Sequence, residues 1–209
     1  MAHELVLQDV TISIGGRTLA ALTQRIGPGE VLTVMGASGS GKSTLLSYCA
    51  GFLDPVFKAA GAIISDGVDI SAMPPEARRL GLLFQDPLLF PHLSVAGNLL
   101  FGLPRAQPDR RGTVAAALIS AGLAGFDARD PATLSGGQAA RVALLRVLLS
   151  EPRALLLDEP FSKLDSKLRS EIRAFTFERA RNLGLPMLLV THDPVDAEAA
   201  GGPIVNLDR

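Results

Sequence analysis

The chain has 209 residues, enough for one domain with an ordinary core, and its 20 Lys and Arg against 21 Asp and Glu leave a formal net charge of −1, which disfavours nucleic acid as the main partner. Cys49 is the single cysteine, which excludes an internal disulfide and fits a reducing compartment. Hydrophobic residues reach 47%, a content consistent with some surface buried against a partner, yet no apolar run approaches the roughly 18 residues of a membrane span and MAHELVLQDV carries no charged-then-apolar leader pattern.

Residues 4–35 read as three short strands, Leu5–Val10, Leu19–Ile26 and Val31–Met35, separated by turns at Gly15-Gly16 and Gly27-Pro28-Gly29, which predicts an antiparallel opening. A glycine-rich loop, Gly36–Thr44, leads into a helix from about Lys42 to Ala50, with Cys49 as a small core residue. Ala62–Ser65 and Val68–Ile70 flank Asp66-Gly67 as a hairpin. Leu80–Phe84, Ala154–Leu157 and Met187–Thr191 are nearly continuous apolar runs that alternate with helical patterns, as strands buried on both faces of a parallel sheet do. A helix over Lys167–Asn182 follows Leu164-Asp165-Ser166 and stops at Gly184, with Pro186 beyond. Residues 87–150 are mostly helical, broken at Pro104, Pro108, Gly112, Gly122 and Gly125. The expectation is a single α/β domain over residues 1–209, with a core from 1–86 and 151–209 and an inserted helical lobe at 87–150.

The most specific segment is GASGSGKST at Gly36–Thr44, the G-x-x-x-x-G-K-[ST] pattern between an apolar strand and a helix. Gly36, Gly39 and Gly41 let the backbone turn tightly against a phosphate, with Ala37, Ser38 and Ser40 between them, and the N–H groups of Ser38 through Ser43 can point inward as an anion cradle at the positive end of the following helix. Lys42 would neutralise the β- and γ-phosphates of a nucleotide, the Ser43 hydroxyl would bind Mg²⁺, and Thr44 offers a second hydroxyl. The other core strands also end in polar residues: Gln85 after Leu80–Phe84, Asp158-Glu159 after Ala154–Leu157, His192 after Met187–Thr191. Ligands of open α/β sheets bind at such carboxyl ends. Asp158 would hold Mg²⁺ and Glu159 would orient or deprotonate an attacking water. Gln85 can coordinate metal and water through its carbonyl oxygen, and His192 can donate to a γ-phosphate.

Leu134-Ser135-Gly136-Gly137-Gln138 is a second strong signal. Ser135 with Gln138 forms a capping box that opens a helix carrying Val142, Leu145 and Leu149. Two glycines in that first turn weaken the helix by roughly 1 kcal/mol each relative to Ala, a cost that a simple cap does not require. Bare N–H groups at the helix start make a second anion site, and two phosphate sites for one nucleotide suggest that one subunit's helix covers the ATP of another.

The succession GASGSGKST, Gln85, LSGGQ, ALLLDEP, Ser162-Lys163-Leu164-Asp165 and His192 resembles the ATP-binding-cassette ATPases over essentially the whole chain. ARVALLRVLLSEPRALLLDEPFSKLD is similar to the ATP-binding subunits of bacterial importers, above all the short YnjD-like and thiamine-, iron- and sulfate-type members. The resemblance implies a P-loop NTPase (RecA-like) core, with ATP and Mg²⁺ as cofactors and ATP hydrolysis as the reaction. It implies Glu159 as catalytic base, His192 as switch histidine, and Gln85 as the start of a loop whose neighbours Asp86–Phe101 meet a membrane subunit. It implies Ser135, Gly136, Gly137, Gln138 and Asp165 as contacts to the ATP of the opposite subunit in a homodimer. Its expected partners are an integral membrane permease and a periplasmic or extracellular solute-binding protein, at the cytoplasmic face of the inner membrane.

Three departures from the family pattern stand out. Ile14 occupies the register where an aromatic ring commonly lies under the adenine, so aliphatic contact would replace stacking and the nucleotide would be held mainly by its phosphates. Ala139-Ala140 stand where longer polar side chains are usual, and Lys163 replaces a small residue. The chain stops 17 residues after His192, so no C-terminal regulatory domain is expected. Two other readings stay open at this point: a soluble cassette ATPase acting on nucleic acid or ribosomes, and a nucleotide-dependent clamp without transport.

Overall fold

The computed structural model describes residues 3–207 and resolves into two compact units. The first takes the chain up to Leu82, Arg153–Glu159 and Phe177 onward; the second takes Leu83–Pro152 and Pro160–Thr176. Among the described residues, no helix is long and apolar enough to cross a membrane.

In the first unit, β1 (Leu5–Ile14) and β2 (Arg17–Ile26) form an antiparallel hairpin. The alternation of β1 breaks at Gln8-Asp9, where the register slips against both neighbouring strands and Asp9 adopts φ 49°. This β-bulge resets the phase, so Leu5 and Leu7 before it and Val10 and Ile12 after it all face inward, each fully buried. Thr23 pins it: the Asp9 N–H donates to Thr23 Oγ1 at 3.0 Å, and that hydroxyl donates to Asp9 Oδ1 at 2.8 Å.

β3 (Val31–Met35) leaves this sheet, and α1 (Lys42–Ala50) follows it. β4 (Lys58–Ser65) returns antiparallel to β1, and β5 (Val68–Asp69) completes the sheet in the order β2-β1-β4-β5. The second sheet contains β3, β6 (Leu80–Leu83), β7 (Ala154–Asp158), β8 (Met187–Val190) and β9 (Ile204–Asn206) in the order β6-β7-β8-β3-β9. The β3–β8, β7–β8 and β3–β9 pairings are parallel. β3, β7 and β8 are buried almost throughout, which explains why they lack polar alternation. Leu32, Val34, Leu156, Leu188 and Val190 share one core cluster with Leu45, Leu46 and Cys49 of α1 and the inward residues of β1. The architecture is the α/β fold expected from the sequence.

The second unit is built on α2 (Val95–Gly102), α3 (Arg110–Ser120), α4 (Gly136–Leu148) and the beginning of α5 (Ser166–Asn182). Val95, Leu99, Val114, Leu118, Val142 and Leu145 form its core. Side chains cap each of the first three helices: Ser94 accepts from Gly97 N–H, Asp109 from Gly112 N–H, and Ser135 from Gln138 N–H. The last helix of the chain, α6 (Pro194–Ala200), belongs to the first unit and packs on β3.

Candidate functional site

The loop Gly36–Thr44 joins β3 to α1 and lines a cleft of about 530 Å³ in the first unit, within the usual range of ligand pockets. Gly41 is the N-cap of α1 at φ 99°, and a Cβ there would lie 2.9 Å from the Leu19 Cβ. Only glycine fits both the left-handed backbone and that close approach. Among the described residues no side chain caps α1, so the N–H groups at the start of the helix are open to a ligand. Lys42 is 6% exposed, and its Nζ donates to the carbonyls of Gly36 and Ala37 at 2.6 and 2.8 Å, which leaves one of its three N–H groups for an anion. The Ser40 hydroxyl is buried with no partner among the described residues. A glycine-rich loop with an uncapped helix start, a spare ammonium N–H and an orphaned hydroxyl suits a phosphate chain. Ser38, Gly39, Ser43, Thr44 and Ile14 line the same cleft.

Two side-chain pairs stand at the strand ends of this unit. Ser43 Oγ donates to Asp158 Oδ1 at 3.0 Å, across 115 residues of sequence. Burial pushes the Asp158 carboxyl above its ordinary range; the Ser43 bond opposes this and the Glu159 charge adds to it. A hydroxyl and a partly desolvated carboxylate are hard oxygen donors of the kind Mg²⁺ accepts beside phosphate oxygens. The second pair is His192 Nδ1 and Glu159 Oε2, 3.1 Å apart.

The backbone holds both members of that pair. Glu159 N–H donates to Val190 O at 3.0 Å, continuing the β7–β8 ladder one residue past β7, and Glu159 then turns at φ 46° before Pro160. A non-glycine residue in the left-handed region costs of order 1–3 kcal/mol and persists where its surroundings over-determine it. His192 lies between β8 and α6. Thr191, 2% exposed, accepts from the Asp193 N–H at 3.0 Å through Oγ1, and Asp193 caps α6 by accepting from Val195 N–H at 2.9 Å. The turn is therefore anchored on both sides while the imidazole is 61% exposed and reachable.

The remaining sequence-predicted residues lie in the second unit. Gln85 lines an apolar cavity there, together with Phe84, Gly136, Ala140 and Leu144. The capping box at Ser135 and Gln138 is complete: Gln138 N–H donates to Ser135 Oγ at 3.3 Å, and Ser135 N–H donates to Gln138 Oε1 at 3.0 Å. The two glycines between them differ. Gly137 is buried, and a Cβ there would come within 2.4 Å of Leu168 Cδ1, so packing against α5 explains it. Gly136 is exposed, a Cβ there would meet only Leu164 at an ordinary 3.7 Å, and nothing in the packing demands it. Asp165 caps α5, accepting from Leu168 N–H at 3.1 Å.

Two of the departures now have a physical account. Lys163 Nζ reaches both carboxylate oxygens of Asp86, at 2.6 and 2.7 Å, and so ties the Asp165 segment to the residue after Gln85. Ala140 lines the apolar cavity, which a longer side chain would fill. Nothing in the structure explains Ala139.

Arg146 and Asn98 are functional candidates that sequence reasoning missed. Asn98, fully buried, accepts from Phe90 N–H at 2.8 Å and donates to the carbonyls of Phe90 and Ser94, each at 3.1 Å. Arg146 donates to Leu88 O at 2.9 Å and to Asn98 Oδ1 at 3.2 Å, and its guanidinium lies 5.1 Å from the Phe90 ring centroid. Together they hold the segment after Gln85 in place. An internal Asn and an Arg on a helix carry no such signal in sequence.

The family described as ABC transporter matches residues 19–162. The chain is 47% identical over 198 residues to the uncharacterized ABC transporter ATP-binding protein YnjD of Escherichia coli (strain K12), covering 93% of this chain and 91% of that one. It is 43% identical over 210 residues to the thiamine import ATP-binding protein ThiQ of Jannaschia sp. (strain CCS1), covering 98% and 89%. It is 39% identical over 211 residues to the putrescine transport ATP-binding protein PotG of Escherichia coli (strain K12), covering 98% of this chain and 55% of PotG. A family model over residues 19–162 and relatives of 39–47% identity over nearly the whole chain lead to one conclusion: the chain belongs to the ABC transporter family, as one of its ATP-binding ATPases.

Proposed function

We propose that this ATPase energises uptake of a small solute through a separate membrane permease, at the cytoplasmic face of the inner membrane. The reading rests on the Glu159–His192 pair at the phosphate-loop unit and on relatives named for thiamine import and putrescine transport. In this reading Gly36–Thr44 cradles the phosphates of ATP, and Lys42 neutralises them. Ser43 and Asp158 would hold Mg²⁺, which would supply charge neutralisation of the phosphate oxygens. Glu159 takes a proton from the attacking water, and His192 orients that carboxylate and donates toward the γ-phosphate. Ser135–Gln138 and Asp165 cover the ATP of a second copy of the chain, and exposed Gly136 is the position at which a bare backbone serves that purpose. A solute-binding protein outside the membrane would deliver the cargo.

The second unit presents the surface for the permease. Leu88 is 55% and Phe101 68% exposed, while Leu89 packs on the unit's own core and Phe90 meets Phe101 edge-on at 4.6 Å. Charge at Leu89 or Phe90 therefore costs folding, whereas Leu88→Glu and Phe101→Glu leave the core intact. These two substitutions are expected to abolish co-sedimentation with membranes containing the permease and to leave the ATPase rate of the isolated chain within about twofold, since surface changes rarely exceed ±0.5 kcal/mol. Full membrane recovery of the double variant would overturn the docking role.

A further inference from the structure

The nucleotide reading leaves open what receives the base. Ile14 lines the cleft but has no π-face, and phosphate contacts alone do not distinguish ATP from a bare polyphosphate. One residue lining the same cleft is aromatic, Phe57, and it comes from a segment outside the nucleotide motifs.

Strand register explains how it reaches the cleft. β1 and β4 pair as Thr11↔Ala60, Ile12↔Ala59 and Ser13↔Lys58, so the residue that precedes β4, Phe57, enters the sheet at the end of β1 where Ile14 lies, and both line the cleft. On its other side Ile14 pairs with Arg17, which also lines the cleft. The ring is thus delivered across the sheet, from the residue just before β4, to the position where β1 offers only an aliphatic side chain.

The segment before β4 is a tied turn. Phe57 N–H donates to Asp54 O at 3.0 Å, and Val56 N–H donates to Asp54 Oδ1 at 2.9 Å. Phe57 packs against the core of the first unit and remains partly exposed where it lines the cleft. A ring held in this way loses little freedom when a flat heterocycle settles on it, and stacking of this kind tolerates any base.

We propose that Phe57 is the stacking platform for the adenine of bound ATP, supplied from the turn before β4 in place of a ring at Ile14. The proposal rests on the nucleotide assignment of the cleft. It makes the base a contributor to affinity, where the sequence alone pointed to the phosphates.

Calorimetric titration of the full chain with Mg-ATP and with magnesium tripolyphosphate tests it, using the parent, F57A, F57L and F57W. F57L keeps an apolar side chain against the core and removes the π-face. F57A and F57L are expected to weaken ATP binding about 5- to 100-fold and to leave tripolyphosphate binding unchanged. The chain contains no Trp, so F57W introduces a single indole; its emission should be quenched by ATP and not by tripolyphosphate, with ATP affinity retained. Parental ATP affinity in F57L, or equal losses for ATP and tripolyphosphate, overturns the role of Phe57 while the nucleotide site stands. A parent chain that binds neither ligand overturns the nucleotide assignment and the proposal with it.

Discussion

Glu159→Gln will lower the turnover number for ATP by about 100- to 10,000-fold, the range that a positioned general base contributes. The substitution removes proton affinity and little else. An amide has the shape of the carboxylate, its carbonyl oxygen can still accept from the His192 ring that now lies 3.1 Å from Glu159 Oε2, and the backbone bond to Val190 O is unaffected. The strained φ of 46° is already present in the parent, so Gln adds no new conformational cost. ATP should therefore bind to the variant with near-parental affinity, and with Ser135–Gln138 of a second copy covering the nucleotide as proposed, the variant should accumulate as an ATP-bound dimer. Phosphate release in the steady state, ATP titration and size-exclusion chromatography with ATP measure the three outcomes. Parental turnover would show that Glu159 is not the base.

Arg78→Ala is expected to destabilise the protein by about 3–5 kcal/mol, or about 6–20 °C in melting temperature for a chain of this size. Arg78 is 5% exposed, and its guanidinium donates to four backbone carbonyls: Met73 O at 2.9 Å, Tyr48 O and Cys49 O at 2.8 Å, and Ser71 O at 2.5 Å. Tyr48 and Cys49 belong to the last turn of α1, which carries the negative end of the helix dipole; Tyr48 O also accepts from the Gly51 N–H at 3.2 Å. Desolvation pulls the Arg78 pKa below its usual value, which still leaves it charged at neutral pH. Truncation removes the side-chain donor from the Met73, Ser71 and Cys49 carbonyls, the last of them buried, and opens a cavity beside α1. Arg78→Lys should recover only part of the loss, because one ammonium cannot match a planar fork of donors. Thermal melts followed by circular dichroism provide the check, and a shift under about 2 °C for Arg78→Ala would contradict the account.

Much of the architecture could be read from the residues because its causes are local. Val31–Met35, Ala154–Leu157 and Met187–Thr191 announce buried parallel strands through unbroken apolar runs, and all three join one sheet. Ser135 and Gln138 announce their own capping box, because its two hydrogen bonds span three residues. Asp66-Gly67 announces the β4–β5 hairpin in the same way. Other features left no trace at that range. The bulge at Asp9 depends on β2 and β4 both pairing with β1, and alternation alone would have carried Asp9 inward. β9, three residues long, exists because β3 offers it an edge.

The candidate site divides along the same line. Residue types and their order already specify a phosphate loop, an acidic pair at a strand end and a glycine-rich helix start, because the chemistry of each resides in a few adjacent residues. Which groups touch was decided by the tertiary structure. Ser43 meets Asp158 across 115 residues, Glu159 meets His192, Lys163 meets Asp86, and Phe57 reaches the cleft by the register of β4 on β1. The physical reason is one of range: a short motif satisfies its hydrogen bonds within itself, whereas the position of a side chain from a distant strand follows from sheet order and register, which arise only when the whole core is buried together.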